Sequence, residues 1–295
     1  MQARARAIWL VTLALFSSNP RLAHRLTSLV KVCRKVTGNQ GSKNMTELLR
    51  IFTLGGLQVF KGDAPVTIQE TRKVEALLVY LACTRREHAR EVLAELLWEE
   101  RSQQQSLANL RVVLTYLRKY LGEYLEISRE GVGLAPGLQI WLDVAELEEN
   151  LSALRTGEGV RTAQTAECVE RAVSLYRGEF LQGFFVRDCQ GFEDWYLRER
   201  ERLHRQTVEA LHDLVDFDIK RRSYKTGLVH ATRLLELDPL METAHRQMMT
   251  LLASSGQRGE ALAQYQAYQK LLHEELGIEP AAATKALYER SARAS

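Results

Sequence analysis

The chain has 295 residues, of which 45% are hydrophobic and 26% are charged. This composition is that of a folded protein long enough for two domains, and it excludes an intrinsically disordered chain. The formal net charge is +3, but residues 1–44 hold eight cations and no acid, which leaves 40 − 8 = 32 cations against 37 acids elsewhere, or −5. Local charge therefore bears on function more than the total does.

Residues 1–44 form an N-terminal tail with a cationic start and a short apolar run from Ile8 to Phe16. The run resembles part of a signal peptide, but it is too short to span a bilayer and no small-residue cleavage site follows it. A strand pattern begins directly after Met45. We expect either that Met45 is the true start or that residues 1–44 are a disordered tail.

The segments from residue 48 to residue 135 show the hydrophobic patterns of strands, then of helices, then of strands again. Residues 48–68 are typical of short strands, interrupted by two glycine-containing turns. Residues 71–82 and 89–98 place leucine and valine at helical spacing, and residues 106–122 predict a third amphipathic helix. Residues 124–135 then predict a β-hairpin with its turn at Arg129-Glu130-Gly131. Strands, three helices and a hairpin are the order of a winged helix-turn-helix.

Residues 143–295 are almost entirely helical in pattern, and Asp143 with Glu146 predicts an N-cap and N3 pair at their start. Residues 224–237 and 258–271 align at an offset of 34 residues, and each copy continues to an acid-proline step. Thirty-four residues is the tetratricopeptide period. We therefore predict a winged-helix DNA-binding domain at 45–142 and an all-α, tetratricopeptide-like domain at 143–295, in a mainly α fold with a small β component.

The third helix carries the functional signal, because no acid occurs from Arg101 to Gly122. A helix in the major groove of DNA must keep carboxylates away from the phosphates, whereas a solvated amphipathic helix could lack acids by chance. The helix context and the basic hairpin tip favour DNA. Arg72 and Lys73, at the start of the first helix, are phosphate-contact candidates or plain solvated residues. The other candidate DNA-contacting residues are Ala108, Asn109, Arg111, Val112, Thr115, Arg118, Lys119 and Arg129.

Catalytic motifs are missing from the sequence. There is no G-x-S-x-G, H-E-x-x-H or G-x-G-x-x-G pattern, and residues 38–44 lack the spacing of a phosphate loop. His204 and His212 lie near several aspartates, but a solvated helix face explains them better than a ligand set. Four cysteines form no C-x-x-C pair and are expected to be reduced thiols. We expect no enzyme, no cofactor and no metal site.

Several stretches together resemble the SARP-type bacterial transcriptional activators. They are RKVEALLVYLA, ANLRVVLTYLRKYLG, SLYRGEFLQGF, FEDWYLRERERL and GQRGEALAQYQAYQKLLHEELGIEP, and the resemblance covers about residues 47–290. It implies a winged helix that binds direct repeats in promoters, with residues 108–121 as recognition helix and Arg129 in the wing. It also implies a helical domain for dimerisation and RNA polymerase contact, and a polymerase-contacting loop at Glu99–Ser106.

The predicted function is that of a cytoplasmic, sequence-specific DNA-binding transcriptional activator without a membrane partner. Its expected partners are double-stranded DNA, RNA polymerase and a second copy of the chain, as a homodimer or oligomer on DNA. The alternative is a tetratricopeptide-type interaction adaptor that does not bind DNA.

Overall fold

The computed structural model describes residues 47–154 and 159–293. The expectations for residues 1–44, including the signal-like run and the stretch 38–44, lie outside these ranges. Over the two ranges, no helix is both long and apolar enough to cross a bilayer.

The N-terminal sheet has four strands in the order β3-β2-β1-β7. Strands β1 (Leu49–Phe52), β2 (Gln58–Lys61) and β3 (Ala64–Pro65) confirm the predicted short strands, and they pair as an antiparallel meander. Strand β7 (Ile140–Leu142) pairs parallel with β1 and was not predicted. Alternate residues of β1 are fully buried, so one face of the sheet covers the core.

The winged helix consists of three helices and a second small sheet. The helices are α1 (Arg72–Thr84), α2 (Arg90–Trp98) and α3 (Gln103–Leu121), and the strands are β4 (His88–Ala89), β5 (Leu125–Ile127) and β6 (Gly131–Leu134), in the order β4-β6-β5. The predicted order of strands, helices and hairpin is confirmed. Helix α3 begins earlier than predicted because the Ser102 hydroxyl caps it, accepting from the Gln105 amide at 3.4 Å. The predicted loop Glu99–Ser106 is therefore wrong in extent, since residues 103–106 are helical.

The C-terminal half is mainly helical in its described part. It contains α4 (Asp143–Leu151), α5 (Ala163–Leu175), α6 (Gln190–Lys220), α7 (Tyr224–Leu237), α8 (Glu242–Ser254), α9 (Arg258–Leu276) and α10 (Ala282–Arg293). The two aligned sequence repeats are α7 and the first part of α9. Each is followed by a second helix that packs on it, which is the helix-pair arrangement of tetratricopeptide repeats. The predicted fold class is confirmed.

The two halves share one buried core. The cluster runs from Leu49 in β1 through α1–α3 to Phe217 in α6. The segment 179–181 adds to the end of β1, with Leu181 N donating to Thr53 O at 2.7 Å and Gly55 N donating to Glu179 O at 3.0 Å. Trp195 of α6 packs edge-on against Tyr80 of α1 at 5.0 Å between ring centroids. The helical half is therefore fixed against the winged helix by apolar packing and by backbone hydrogen bonds.

Asp143 connects the end of β1 to the start of α4 through a buried carboxylate. Its side chain is 1% exposed, and Oδ2 accepts from the amides of Thr53 and Leu54 at 2.7 and 2.8 Å. Oδ1 accepts from the Thr53 hydroxyl at 2.8 Å and from the Val144 amide at 2.9 Å. Burial raises the pKa of this carboxyl, while the four hydrogen bonds oppose that shift.

The predicted N-cap and N3 pair is wrong, because Asp143 is already the first helical residue and its carboxylate holds β1. Glu146 has no part in that contact and accepts from the Asn150 side-chain amide at 3.2 Å.

We expect Asp143→Ala to lower the free energy of unfolding by about 2–4 kcal/mol, because two buried backbone N–H groups lose their acceptor. Urea unfolding followed by circular dichroism measures the change. Glu149→Ala, an exposed position on the same helix, is the control and should stay within about 0.5 kcal/mol of the parent. Equal midpoints for the two variants would contradict this role of Asp143.

Candidate nucleic-acid interface

Helix α3 has a buried and an exposed side. The buried side packs on α1 and α2 and confirms the predicted core role of the leucines; it consists of Leu110, Val113, Leu114, Leu117 and Leu121, with Leu107 partly buried. The exposed side contains every α3 residue predicted to contact DNA, namely Ala108, Asn109, Arg111, Val112, Thr115, Arg118 and Lys119. At 3.6 residues per turn these positions form three rows along the helix.

The three rows differ in chemistry. Arg111 and Arg118 lie along one flank of the exposed side, and Asn109 with Val112 lies along the other. Ala108, Thr115 and Lys119 form the crest between the flanks. The Thr115 hydroxyl donates to the Arg111 carbonyl at 2.8 Å, so this side chain lies against its own helix and does not project from the crest.

The arginine flank opens into a cleft of about 220 Å³ beside the β5–β6 hairpin. Across the cleft from Arg111 and Arg118 lie Ile127 and Arg90, the first residue of α2. Arg90 Nε donates to the Ser128 carbonyl at 3.0 Å and thereby fixes the hairpin turn against α2. Within the described ranges, the guanidinium groups of Arg111 and Arg118 have no hydrogen-bond or ion-pair partner. Two uncompensated cations therefore face an open cleft.

Arg90 was missed by the sequence analysis. Its only local signal is a cation at the first turn of the helix before α3, a position that many solvated helices share. Arg90 differs from such residues by its hydrogen bond to the Ser128 carbonyl, which is distant in the sequence and close only in the folded chain.

The predicted wing is the β5–β6 hairpin, and its turn occupies Ser128–Glu130. The Ser128 hydroxyl accepts from the amides of Glu130 and Gly131 at 3.1 and 2.8 Å, which closes the turn. Arg129 lies exposed at the tip. Two acids, Glu130 and Glu87, lie beside Arg129, so the wing is mixed in charge. Glu87 Oε1 accepts from Ser128 Oγ at 3.3 Å.

Lys119 is partly neutralised. Its Nζ lies 3.2 Å from Oε1 of Glu70, which also accepts from the Tyr120 hydroxyl at 3.0 Å. The hydrogen bond to Glu70 raises the pKa of the Lys119 ammonium. This cation is exposed but shares its charge with a carboxylate, unlike Arg111 and Arg118.

The two candidates at the start of α1 differ from each other. Arg72 is exposed, pairs with Glu75 at 2.8 Å and lies 5.3 Å from the ring centre of Phe184. Lys73 Nζ donates to the carbonyls of Leu97 and Asp188 at 2.6 and 2.7 Å, and burial lowers its pKa. Both carbonyls engage the partly buried Lys73 ammonium, which favours a structural role for Lys73 over the predicted phosphate contact.

Two aspartates of the considered metal site, Asp216 and Asp218, bind side chains outside it, whereas His212 Nδ1 lies 3.6 Å from Asp213 Oδ1. Asp218 Oδ2 lies 2.7 Å from Nδ1 of His230, and Asp216 accepts from the Gln247 side-chain amide at 2.6 Å. Among the residues that the structure describes, no three His, Cys, Asp or Glu side chains could jointly hold a metal ion. Cys83, Cys168 and Cys189 are free thiols.

Comparison with known proteins gives relatives that are regulators. Regulatory protein AfsR of Streptomyces coelicolor is 28% identical over 250 residues, which cover 82% of this chain and 24% of AfsR. AfsR of Streptomyces griseus is 26% identical over 252 residues, which cover 84% and 25%. The chain thus spans about a quarter of the length of these relatives.

A solved structure of Mycobacterium tuberculosis EmbR, in complex with a low-affinity phosphopeptide, is similar with a TM-score of 0.61 at 25% identity. The similarity covers 84% of this chain and 65% of that one. The family model of the bacterial transcriptional activator domain matches residues 142–290, which are 149 of the 295 residues. The chain therefore belongs to the bacterial transcriptional activator domain family, as a regulator of the SARP type.

Proposed function

We propose that this protein activates transcription by binding promoter DNA, with α3 in the major groove. The observation that carries the proposal is the exposed side of α3, on which two unpaired arginines stand and no carboxylate occurs. DNA presents a dense line of phosphates, so a helix that enters its groove gains from cations and loses from acids. Ala108 and Thr115 on the crest are small enough for close approach to the base edges.

Each row of the interface has its own proposed task. Arg111 and Arg118 read base edges or hold phosphates from the flank of the groove, and Asn109 lies near the start of the helix, where recognition helices often touch bases. Arg90 and Arg129 bind the backbone on the hairpin side. Lys119 adds a weaker contact, because Glu70 competes with the phosphates for its ammonium.

The helical half at 143–295 is proposed to hold two or more copies of the chain on repeated half-sites and to present a surface to RNA polymerase. Membership of a transcriptional activator family supports this assignment. The winged-helix half at 45–142 is then the part that reads DNA, and the chain works in the cytoplasm, where promoters are accessible.

We expect Arg111→Ala and Arg118→Ala each to weaken specific binding by about 1–3 kcal/mol, since each removes a contact to a base or a phosphate. Gel-shift titration and footprinting on the DNA upstream of the protein's own coding region measure the effect. Arg290→Ala is the control, because this exposed arginine lies on α10, which packs on α8 and α9. Unchanged affinity in both α3 variants at ordinary salt would refute α3 as the recognition helix.

Salt dependence separates the activator from the adaptor. Binding to a duplex of random sequence releases counterions, so the logarithm of the association constant should fall steeply with the logarithm of salt concentration. Fluorescence anisotropy over a range of salt concentrations measures this slope. An adaptor without DNA contacts would show no slope.

Substitutions of Lys73 and Arg72 should change different properties, namely the stability of the fold for Lys73 and DNA binding for Arg72. We expect Lys73→Met to lower the free energy of unfolding by about 1–3 kcal/mol, because two carbonyls lose a charged donor. Arg72→Ala should stay within about 0.5 kcal/mol and should instead make the salt slope less negative by up to about 1. Chemical unfolding measures the stability of each variant, and the same anisotropy titration measures its salt slope. A less negative slope for Lys73→Met with unchanged stability would instead support Lys73 as a DNA contact.

A further inference from the structure

The geometry points to a second DNA-contacting element, in the helical half of the chain. We infer that the segment 185–187 binds the sugar–phosphate backbone on the flank of α3 that faces away from the hairpin. The inference rests on the proposed function, and it extends the interface beyond the winged helix.

The contact surface is a groove of about 560 Å³ beside the recognition helix. One wall is the Asn109–Val112 flank of α3, and another is the start of α1. The third wall comes from the helical half, between α5 and α6. The groove lining includes Thr71, Arg72, Asn109, Val112, Phe185 and Arg187.

A helix in the major groove has a sugar–phosphate backbone on each side, because the groove is only about 12 Å wide. On the flank of Arg111 and Arg118, Arg90 and the hairpin face one backbone. On the opposite flank, beside Asn109 and Val112, the neighbouring segment is 185–187. The backbone that the hairpin cannot reach therefore lies next to the helical half.

The chemistry of the segment suits a sugar–phosphate chain. Arg187 is exposed, and its guanidinium has no hydrogen-bond or ion-pair partner in residues 47–154 and 159–293. The Phe185 side chain is 64% exposed, although it is an apolar ring. A cation such as Arg187 can bind a phosphate, and an apolar ring such as Phe185 can pack on a deoxyribose. The two side chains therefore match the two groups that alternate along the DNA backbone.

The charge around the groove also favours an anion. Arg72, Lys73 and Arg187 are opposed by the carboxylates of Glu75 and Asp188, which leaves an excess of one cation. The free N–H groups at the start of α1 add partial positive charge, since Thr71 provides no side-chain cap.

The segment is held in place against the winged helix. Lys73 of α1 binds the Asp188 carbonyl at 2.7 Å, and Phe184 packs between Arg72 and the ring of Phe192, 6.2 Å away. Gly191 approaches α2 so closely that a Cβ there would meet the Leu96 carbonyl oxygen at 3.1 Å. The buried neighbours fix the backbone, while the side chains of Phe185 and Arg187 remain outside.

The test compares Phe185→Ala, Arg187→Ala and Arg187→Lys in the full chain, with a fluorescein-labelled duplex of random sequence. Arg187→Ala should weaken binding and make the salt slope less negative by about 1, and Arg187→Lys should restore the slope because a phosphate contact needs only the charge. Phe185→Ala should weaken binding several-fold without changing the slope.

Matched controls are Arg290→Ala for the lost cation and Val229→Ala for the lost exposed apolar side chain. Both should bind like the parent, and circular dichroism with urea midpoints checks that every variant folds.

Three results overturn the inference. If Phe185→Ala and Arg187→Ala match their controls while Arg111→Ala and Arg118→Ala lose affinity, the proposed function stands and this inference falls. If the parent chain shows no salt-dependent DNA binding, both fall. If Phe185→Ala and Arg187→Ala keep the DNA affinity of the parent but no longer recruit RNA polymerase, the groove serves a protein partner.

Discussion

One buried carboxylate, that of Asp143, fixes where the N-terminal sheet meets the helical half of the shared core. Asp143 accepts four hydrogen bonds, three from the end of β1 and one from its own helix. A carboxylate out of water is costly unless its donors are already in position, so β1 and α4 must meet in one geometry. Strand β7 leads directly into α4 and pairs with β1, so the sheet and the helical half are joined at the same place.

The consequence of that junction is that both halves of the chain border α3. The hairpin borders one flank of α3, and the segment after α5 borders the other. Lys73 and the contact between Tyr80 and Trp195 keep the second border fixed. The surface around α3 that we propose to bind DNA is therefore not a property of the winged helix alone, because one of its edges belongs to the activator domain.

The two sides of α3 could be predicted because leucine spacing and the absence of acids are local properties of the sequence. The two-residue β4 and the three-residue β7 could not, because strands so short form only against a partner that the fold supplies. Lys73 illustrates the limit for the site: its acceptors lie 24 and 115 residues away along the chain. Arg90 is the same case, with its carbonyl partner 38 residues away.

Helix α6 gives the molecule a fixed internal distance. Its 31 residues span about 46 Å at 1.5 Å per residue. Trp195 near its start packs on α1, and Val215 near its end lies in the core of the repeat pairs. The 20 residues from Trp195 to Val215 set a spacing of about 30 Å, slightly less than one turn of duplex DNA, which is about 34–36 Å. Whatever docks on the repeats is thereby held at a set offset from the exposed side of α3, and changing the length of α6 by whole turns would shift that offset in steps of about 5.4 Å.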